Sequence, residues 1–208
     1  MRTASPQRPR SRVRHEPAWD VAHMFPAQGT WTEEDYFALI TQRGYELCDG
    51  RLEMLPMPTE LHQFIAKNLF LALNAFVEAR KLGTVLFMGL RVRTRPGEIR
   101  EPDIVFMRAE NADRRANQAW SGADLALEIV SQDDPGRDWK TKRREYARCG
   151  IAEYWIVDPQ KGSITVLALE RGAYKVHGEF GKGDTAASAL LPGFSVEVSR
   201  ALKPEGAK

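Results

Sequence analysis

Little in this sequence would hold together a small extracellular scaffold. Its two cysteines, Cys48 and Cys149, lie far apart with no CxxC or Cys/His spacing. That excludes a zinc ribbon and a disulfide framework and leaves two structural thiols. The histidines number four and no GxSxG elbow is present, so a Ser/His/Asp hydrolase lacks its parts. No apolar run approaches transmembrane length and no secretory h-region follows Met1. The expected address is therefore the cytoplasm, with no membrane partner, and no motif asks for an organic cofactor. A formal net charge of +2 over 208 residues excludes a histone-like polycation. Any hold on nucleic acid must come from a local patch.

What is present suffices for one domain with a full core, the hydrophobic content being 43%. Residues 1–28 are rich in Pro and Arg, with Arg2, Arg8, Arg10, Arg12 and Arg14 set among Ser, Pro and Gln. They read as a disordered tail. A nucleic-acid grip through counterion release, a solvated extension and an overlong gene start all remain open for it. The globular domain is expected over residues 29–202, followed by a short tail, 203–208.

Within the domain, Thr30–Ile40 reads as a short helix capped by Thr32. Tyr45–Leu55 reads as a hairpin turning at Asp49-Gly50, a pair that tolerates positive φ. Residues 59–82 form an amphipathic helix, Leu61, Ile65, Leu69, Leu73 and Phe76 recurring at helical spacing and Gly83 serving as a left-handed stop. Two strands, about 84–94 and 100–107, join through Pro96-Gly97. A polar stretch then leads to a strand around Glu128. Asp134-Pro135 opens a helix that Gly150 ends. Strands follow at Glu153–Val157, Ser163–Leu169, Tyr174–Phe180 and near Phe194–Val198. The order is αββαβββαβββ, an α/β fold with a twisted mixed β-sheet flanked by helices.

Two carboxylates sit where an ordinary core would not place them. In Ala123–Gln132, Leu125, Leu127 and Ile129 share one strand face and Ala126, Glu128 and Val130 the other, so neither face is built for water. A dry, unpaired Glu128 would cost several kcal/mol or take up a proton, so it needs a cation, a metal or an acid role. Asp103 likewise directly precedes the apolar run Ile-Val-Phe-Met. Two carboxylates about 4 Å apart repel by roughly 4 kcal/mol at an effective dielectric near 20, which asks for a shared cation or proton. In Asp138-Trp-Lys-Thr-Lys-Arg-Arg-Glu-Tyr146, Trp139, Lys142 and Tyr146 lie on one inward stripe, offering Lys142 as the partner, while Lys140, Arg143 and Arg144 face solvent.

Pro102-Asp103, Glu128-Ile-Val-Ser131, Asp138-xxx-Lys142-xxx-Tyr146 and Gly150-Ile-Ala-Glu-Tyr-Trp-Ile-Val-Asp158-Pro159 together resemble the Uma-two family of restriction endonucleases, in the PD-(D/E)XK superfamily. Tyr45-Glu-Leu-Cys-Asp-Gly50 and His62-Gln63 upstream, and Leu191-Pro-Gly-Phe194 downstream, extend the resemblance over roughly residues 31–202. It implies a restriction-endonuclease-like core and a Mg²⁺-dependent endonuclease that hydrolyses DNA phosphodiester bonds, with Mn²⁺ as a substitute. Asp103, Glu128 and the Ile129 carbonyl would bind the metal, with Glu46 near the same cleft. The sequence departs from the superfamily pattern at Val130, where its lysine would stand, so Lys142 would reach the site from the helix.

Arg91, Arg93 and Arg95 alternate along one strand, with Arg100 after the turn. Such a row suits DNA phosphates and equally suits a sheet edge guarded by charge. His62 is compatible with lining the cleft and with a satisfied or solvent-facing role. A salt bridge for stability alone is the alternative reading of Asp103, Glu128 and Lys142. A glycosidase pair is disfavoured by the inward lysine and by the lack of an aromatic-rich groove motif. An idle nuclease fold serving as a DNA-binding module is the alternative function, and a homodimer would suit two-strand cleavage.

Overall fold

The structure, a computed structural model, describes residues 25–40 and 43–204. Most of the Arg-rich tail and the last four residues of the C-terminal tail lie outside the described residues. The chain folds around a six-stranded sheet in the order β10-β9-β8-β7-β6-β3. These strands are β3 (Gly83–Phe87), β6 (Ile104–Arg108), β7 (Leu125–Ile129), β8 (Glu153–Asp158), β9 (Ser163–Glu170) and β10 (Ala173–Phe180). Only β7 and β8 pair in parallel; the other neighbours are antiparallel, which makes the sheet mixed.

Sheet alternation decides which residues meet which layer. Leu125, Leu127 and Ile129 of β7 pack with Ile65, Leu69, Leu73 and Val77 of helix α2 (Glu60–Arg80). Ala126 and Val130 turn to a second core with Tyr146, Tyr154 and Tyr174, under helix α3 (Arg143–Cys149). Both faces of β7 are therefore dry, as its two-sided composition requires. Glu128 shares the α3 side with Ala126 and Val130.

A four-stranded sheet, β2-β1-β5-β4, stands beside the first. It holds β1 (Tyr45–Cys48), β2 (Arg51–Met54), β4 (Val92–Arg95) and β5 (Glu98–Arg100). Its own small core is Trp31, Tyr36, Leu47 and Ile99. Asp49 and Gly50 both take positive φ, 48° and 72°, in the expected β1–β2 turn. Helix α1 (Glu33–Ala38) is shorter than the Thr30–Ile40 expectation, but Thr32 caps it in a reciprocal pair with Asp35. A two-stranded sheet of β11 (Thr185–Ala187) and β12 (Ser195–Glu197), with helix α4 (Val198–Ala201), closes the fold.

Three boundaries differ from the sequence expectation. The left-handed residue ending α2 is Lys81, at φ 53°, not Gly83. Gly83 instead opens β3, where a Cβ would lie 2.0 Å from the Met107 carbonyl oxygen, so close strand approach is what requires glycine. The expected strand 84–94 is two strands in different sheets, β3 and β4, and 100–107 likewise divides into β5 and β6. Periodicity marks extended backbone but carries no information about which sheet receives it. β11 went unforeseen because it is only three residues, Thr185–Ala187, with one buried side chain.

Candidate metal and nuclease site

β6 and β7 are neighbours, and the link between them is direct. The Asp103 carboxylate, at the head of β6, accepts a hydrogen bond from the Ile129 N–H at 2.7 Å. Its other oxygen lies 3.3 Å from His62 Nε2 on α2. The Val130 N–H points the opposite way, to the Val157 carbonyl. Because N–H and C=O of one strand residue face the same neighbour, the Ile129 carbonyl is directed to the Asp103 side.

Glu128 is 3% exposed. Its Oε1 accepts a 2.5 Å hydrogen bond from the Tyr146 hydroxyl, and its Oε2 lies 2.8 Å from Lys142 Nζ. Lys142 reaches it from a π-helical turn, Arg137–Lys142, that precedes α3. Such turns re-aim side chains and recur at functional sites. Lys142 also lies 3.5 Å from both Asp138 and Glu46. The inward stripe of Trp139, Lys142 and Tyr146 is thus present, all three packed or buried.

The electrostatics follow from this crowding. Burial, joined by the charges of Asp138, Asp103 and Glu46, pushes the Glu128 carboxyl up to about 8 against the pull of Lys142. Burial would lower Lys142, yet Glu128, Glu46 and Asp138 hold its ammonium above the ordinary lysine range. Burial raises Asp138 too. For His62, burial works downward, but its contact with Asp103 wins and raises it.

Glu46 is wholly buried on β1 and faces a second ionic centre. Arg100 Nη1 lies 2.7 Å from Glu46 and 2.8 Å from Glu53, while its Nε and Nη2 make a fork with Glu145 at 2.8 and 2.9 Å. The Glu101 N–H donates to Glu46 at 2.9 Å, and Arg137 pairs with it as well. Burial alone would raise Glu46; Lys142, Arg100 and Arg137 together hold it well below the carboxylate range.

The cleft lined by these groups measures about 860 Å³ and includes His62, Asp103, Glu128, Ile129, Arg137, Asp138 and Lys142. At its heart are oxygen donors from two adjacent strands, the set a hard divalent cation such as Mg²⁺ prefers. Each carboxylate oxygen has two lone pairs, so the existing hydrogen bonds leave acceptor capacity. The donor chemistry fits the ion. Among the described residues, one trio of potential ligand atoms lies mutually within 4.8 Å: Cys48, Glu98 and Glu145. Arg100 already binds Glu145 and lies 3.4 Å from Cys48, and Arg95 and Thr94 bind Glu98. A cation there would meet a fixed positive charge, so the trio suits an arginine better than a metal.

The arginine row is arranged otherwise than as free phosphate receptors. Arg93 forms a fork with Glu33 at 2.8 and 2.6 Å. Arg95 pairs with Asp49 and Glu98. Arg91 lies 3.7 Å from Glu101 and stacks 5.0 Å from the Tyr36 ring. β4 is the outer strand of its four-stranded sheet, the backbone at Arg91 and Arg93 bonded to Trp120, and a phosphate would have to displace these side-chain pairs. Arg100 is no member of the row at all, being 0% exposed. The Ser131 hydroxyl accepts from the local Asp133 N–H, and Asp158 accepts from the N–H groups of Gln160 and Lys161 in a strand-ending turn.

Reasoning from sequence missed Arg100, Arg137, Asp138 and Glu145 as members of these networks. Asp138 and Glu145 carried a faint signal, each on the helix that bears Lys142. Arg100 and Arg137 carried none, since arginine is ordinarily a surface residue.

The chain matches the family described as "Uma2: Putative restriction endonuclease" over residues 33–199. It belongs to that family. No curated protein matches it. Among solved structures it is similar to one described as a putative nuclease belonging to DUF820 from Anabaena variabilis. The identity is 18%, the alignment covers 82% of this chain and 97% of that one, and the TM-score is 0.69. The likeness confirms the expected restriction-endonuclease-like fold, and the family description agrees with a nuclease. No described helix is long and apolar enough to cross a membrane.

Proposed function

We propose that residues 29–202 form a single cytoplasmic nuclease domain that hydrolyses DNA phosphodiester bonds with Mg²⁺, or Mn²⁺ in its place. The observation that carries this reading is the convergence of Asp103 and Glu128 from adjacent strands on one cleft, with Lys142 Nζ 2.8 Å from Glu128. Asp103, Glu128 and the Ile129 carbonyl would hold the ion, which when bound supplies Lewis-acid activation of water and phosphate. Lys142 donates to charge developing on the phosphate or orients the attacking water. Its position in the helix replaces the lysine absent at Val130. Tyr146 fixes one oxygen of Glu128, and Glu46 holds Lys142 from behind.

The test is nicking of supercoiled plasmid with Mg²⁺ or Mn²⁺, beside a chelator and Glu128→Ala and Asp103→Asn proteins. Metal-dependent nicking should fall by about 10³-fold or more in either variant, an interaction loss near 4 kcal/mol. Equal nicking by Glu128→Ala protein would end the proposal. A second reading, an idle fold that only binds DNA, draws support from Glu128, both of whose oxygens already have protein donors. It requires DNA affinity that ignores divalent metal and Asp103→Asn alike. Cleavage of both strands would call for two copies of the domain, which sedimentation on DNA would reveal.

A further inference from the structure

Arg137 lies at the cleft wall beside Lys142, with its side chain 16% exposed. Its Nη2 donates the hydrogen bond to Glu46 and lies 3.4 Å from Glu53. Its Nε is buried with no hydrogen-bond partner among the described residues. A buried donor left without an acceptor costs about 1–3 kcal/mol. Glu46 does not explain the arrangement, because Arg100, Lys142 and the Glu101 N–H already serve it. Lys142, the neighbouring cation, lies within 3.5 Å of three carboxylates. A guanidinium anchored through Nη2 and still 16% exposed on the cleft presents its accessible edge as a preorganised receptor for a planar or tetrahedral oxyanion.

We propose that Arg137 is the phosphate-binding residue of this site: anchored on Glu46, it donates the N–H groups it exposes on the cleft to a non-bridging oxygen of the scissile phosphodiester. The inference rests on the nuclease reading for its chemistry. In the reaction, water oxygen attacks phosphorus and gives up one proton to solvent. The bond from phosphorus to the leaving sugar oxygen breaks, and that oxygen keeps the electron pair and takes up a proton. Arg137 keeps all its protons and offsets the charge gathering on the phosphoryl oxygens. Glu46, in this account, is a positioning residue for Arg137 and Lys142.

The experiment compares full-length wild type, Arg137→Gln and Arg137→Lys in two assays, after thermal melts confirm folding. The first is binding of a labelled DNA duplex in chelator across a salt series. The second is plasmid nicking with Mg²⁺. In binding, Arg137→Gln should reduce the slope of log K against log salt by about 0.9, one phosphate contact, while Arg137→Lys keeps it. In nicking, both variants should lose about 10²–10³-fold in kcat at an unchanged half-saturating Mg²⁺, because lysine lacks the oriented fork. An unchanged slope in Arg137→Gln overturns the proposal, as does wild-type nicking by that variant. If wild type binds DNA but never nicks it, a lower slope in Arg137→Gln upholds the phosphate contact and removes the nuclease reading.

Discussion

Two ionic clusters built from the same residue types lie back to back, sharing Glu46, yet they differ in what they leave open. The cluster around Arg100 is sealed: the arginine is 0% exposed and its guanidinium is divided among Glu46, Glu53, Glu145 and Cys48. The cluster around Lys142 opens on the cleft and holds carboxylates, Glu128 and Asp138, that burial drives toward the neutral form. The first has satisfied its charges and is a structural post. The second keeps buried acid that the proposed cation would relieve. Glu153 shows the sealed solution again, with Trp155 Nε1, the Ser188 hydroxyl and the N–H groups of Ala189 and Leu190 all donating to it.

The contrast can be broken by substitution. Arg100→Leu should cost the most stability, about 3–5 kcal/mol in denaturant unfolding, because it strands buried carboxylates. An undiminished midpoint would show the post to be dispensable. Divalent ion should stabilise wild type by about 2.7 kcal/mol at a hundredfold excess over its dissociation constant, and Glu128→Gln not at all. Melting curves with and without Mg²⁺ would decide this, and an equal gain in the variant would move the ion elsewhere.

Without metal, Glu128→Gln should cost little or even stabilise at neutral pH. The folded carboxyl lies near 8, above its ordinary 4.5, so the folded protein binds the proton more tightly than the unfolded chain. That contribution is full below pH 4.5 and lost as pH rises through 8. The stability of Glu128→Gln relative to wild type should therefore improve from pH 5 to pH 8; a flat difference would refute the raised carboxyl. Arg93→Gln, which cuts a partly exposed ion pair, should change stability by only about 0.2–1 kcal/mol. A loss of several-fold in DNA affinity from that substitution would restore the arginine row as a phosphate contact.

How far these clusters could be read beforehand depended on local rules. Glu128 declared itself because a strand with two dry faces has no ordinary place for a carboxylate. Lys142 followed from helical spacing to Tyr146, and Asp49-Gly50 from turn chemistry. Arg93 and Arg95 were ambiguous, since alternation shows that side chains share a face but not what waits opposite. Arg100 looked like their continuation because the sequence does not show that the chain passes from β5 to β6 and changes sheets there.

The sequence by itself determined the strand that carries Glu128, the helix that carries Lys142, the Thr32 cap and the family of the fold. All of these depend on interactions within a few residues or on motif order. Tertiary structure alone decided that Glu46 joins two charge clusters, that Arg100 is sealed and that Arg137 faces the cleft. Those outcomes depend on contacts between residues as far apart as Glu46 and Arg137. Burial then sets the effective dielectric in which each charge is weighed, and no local pattern encodes it.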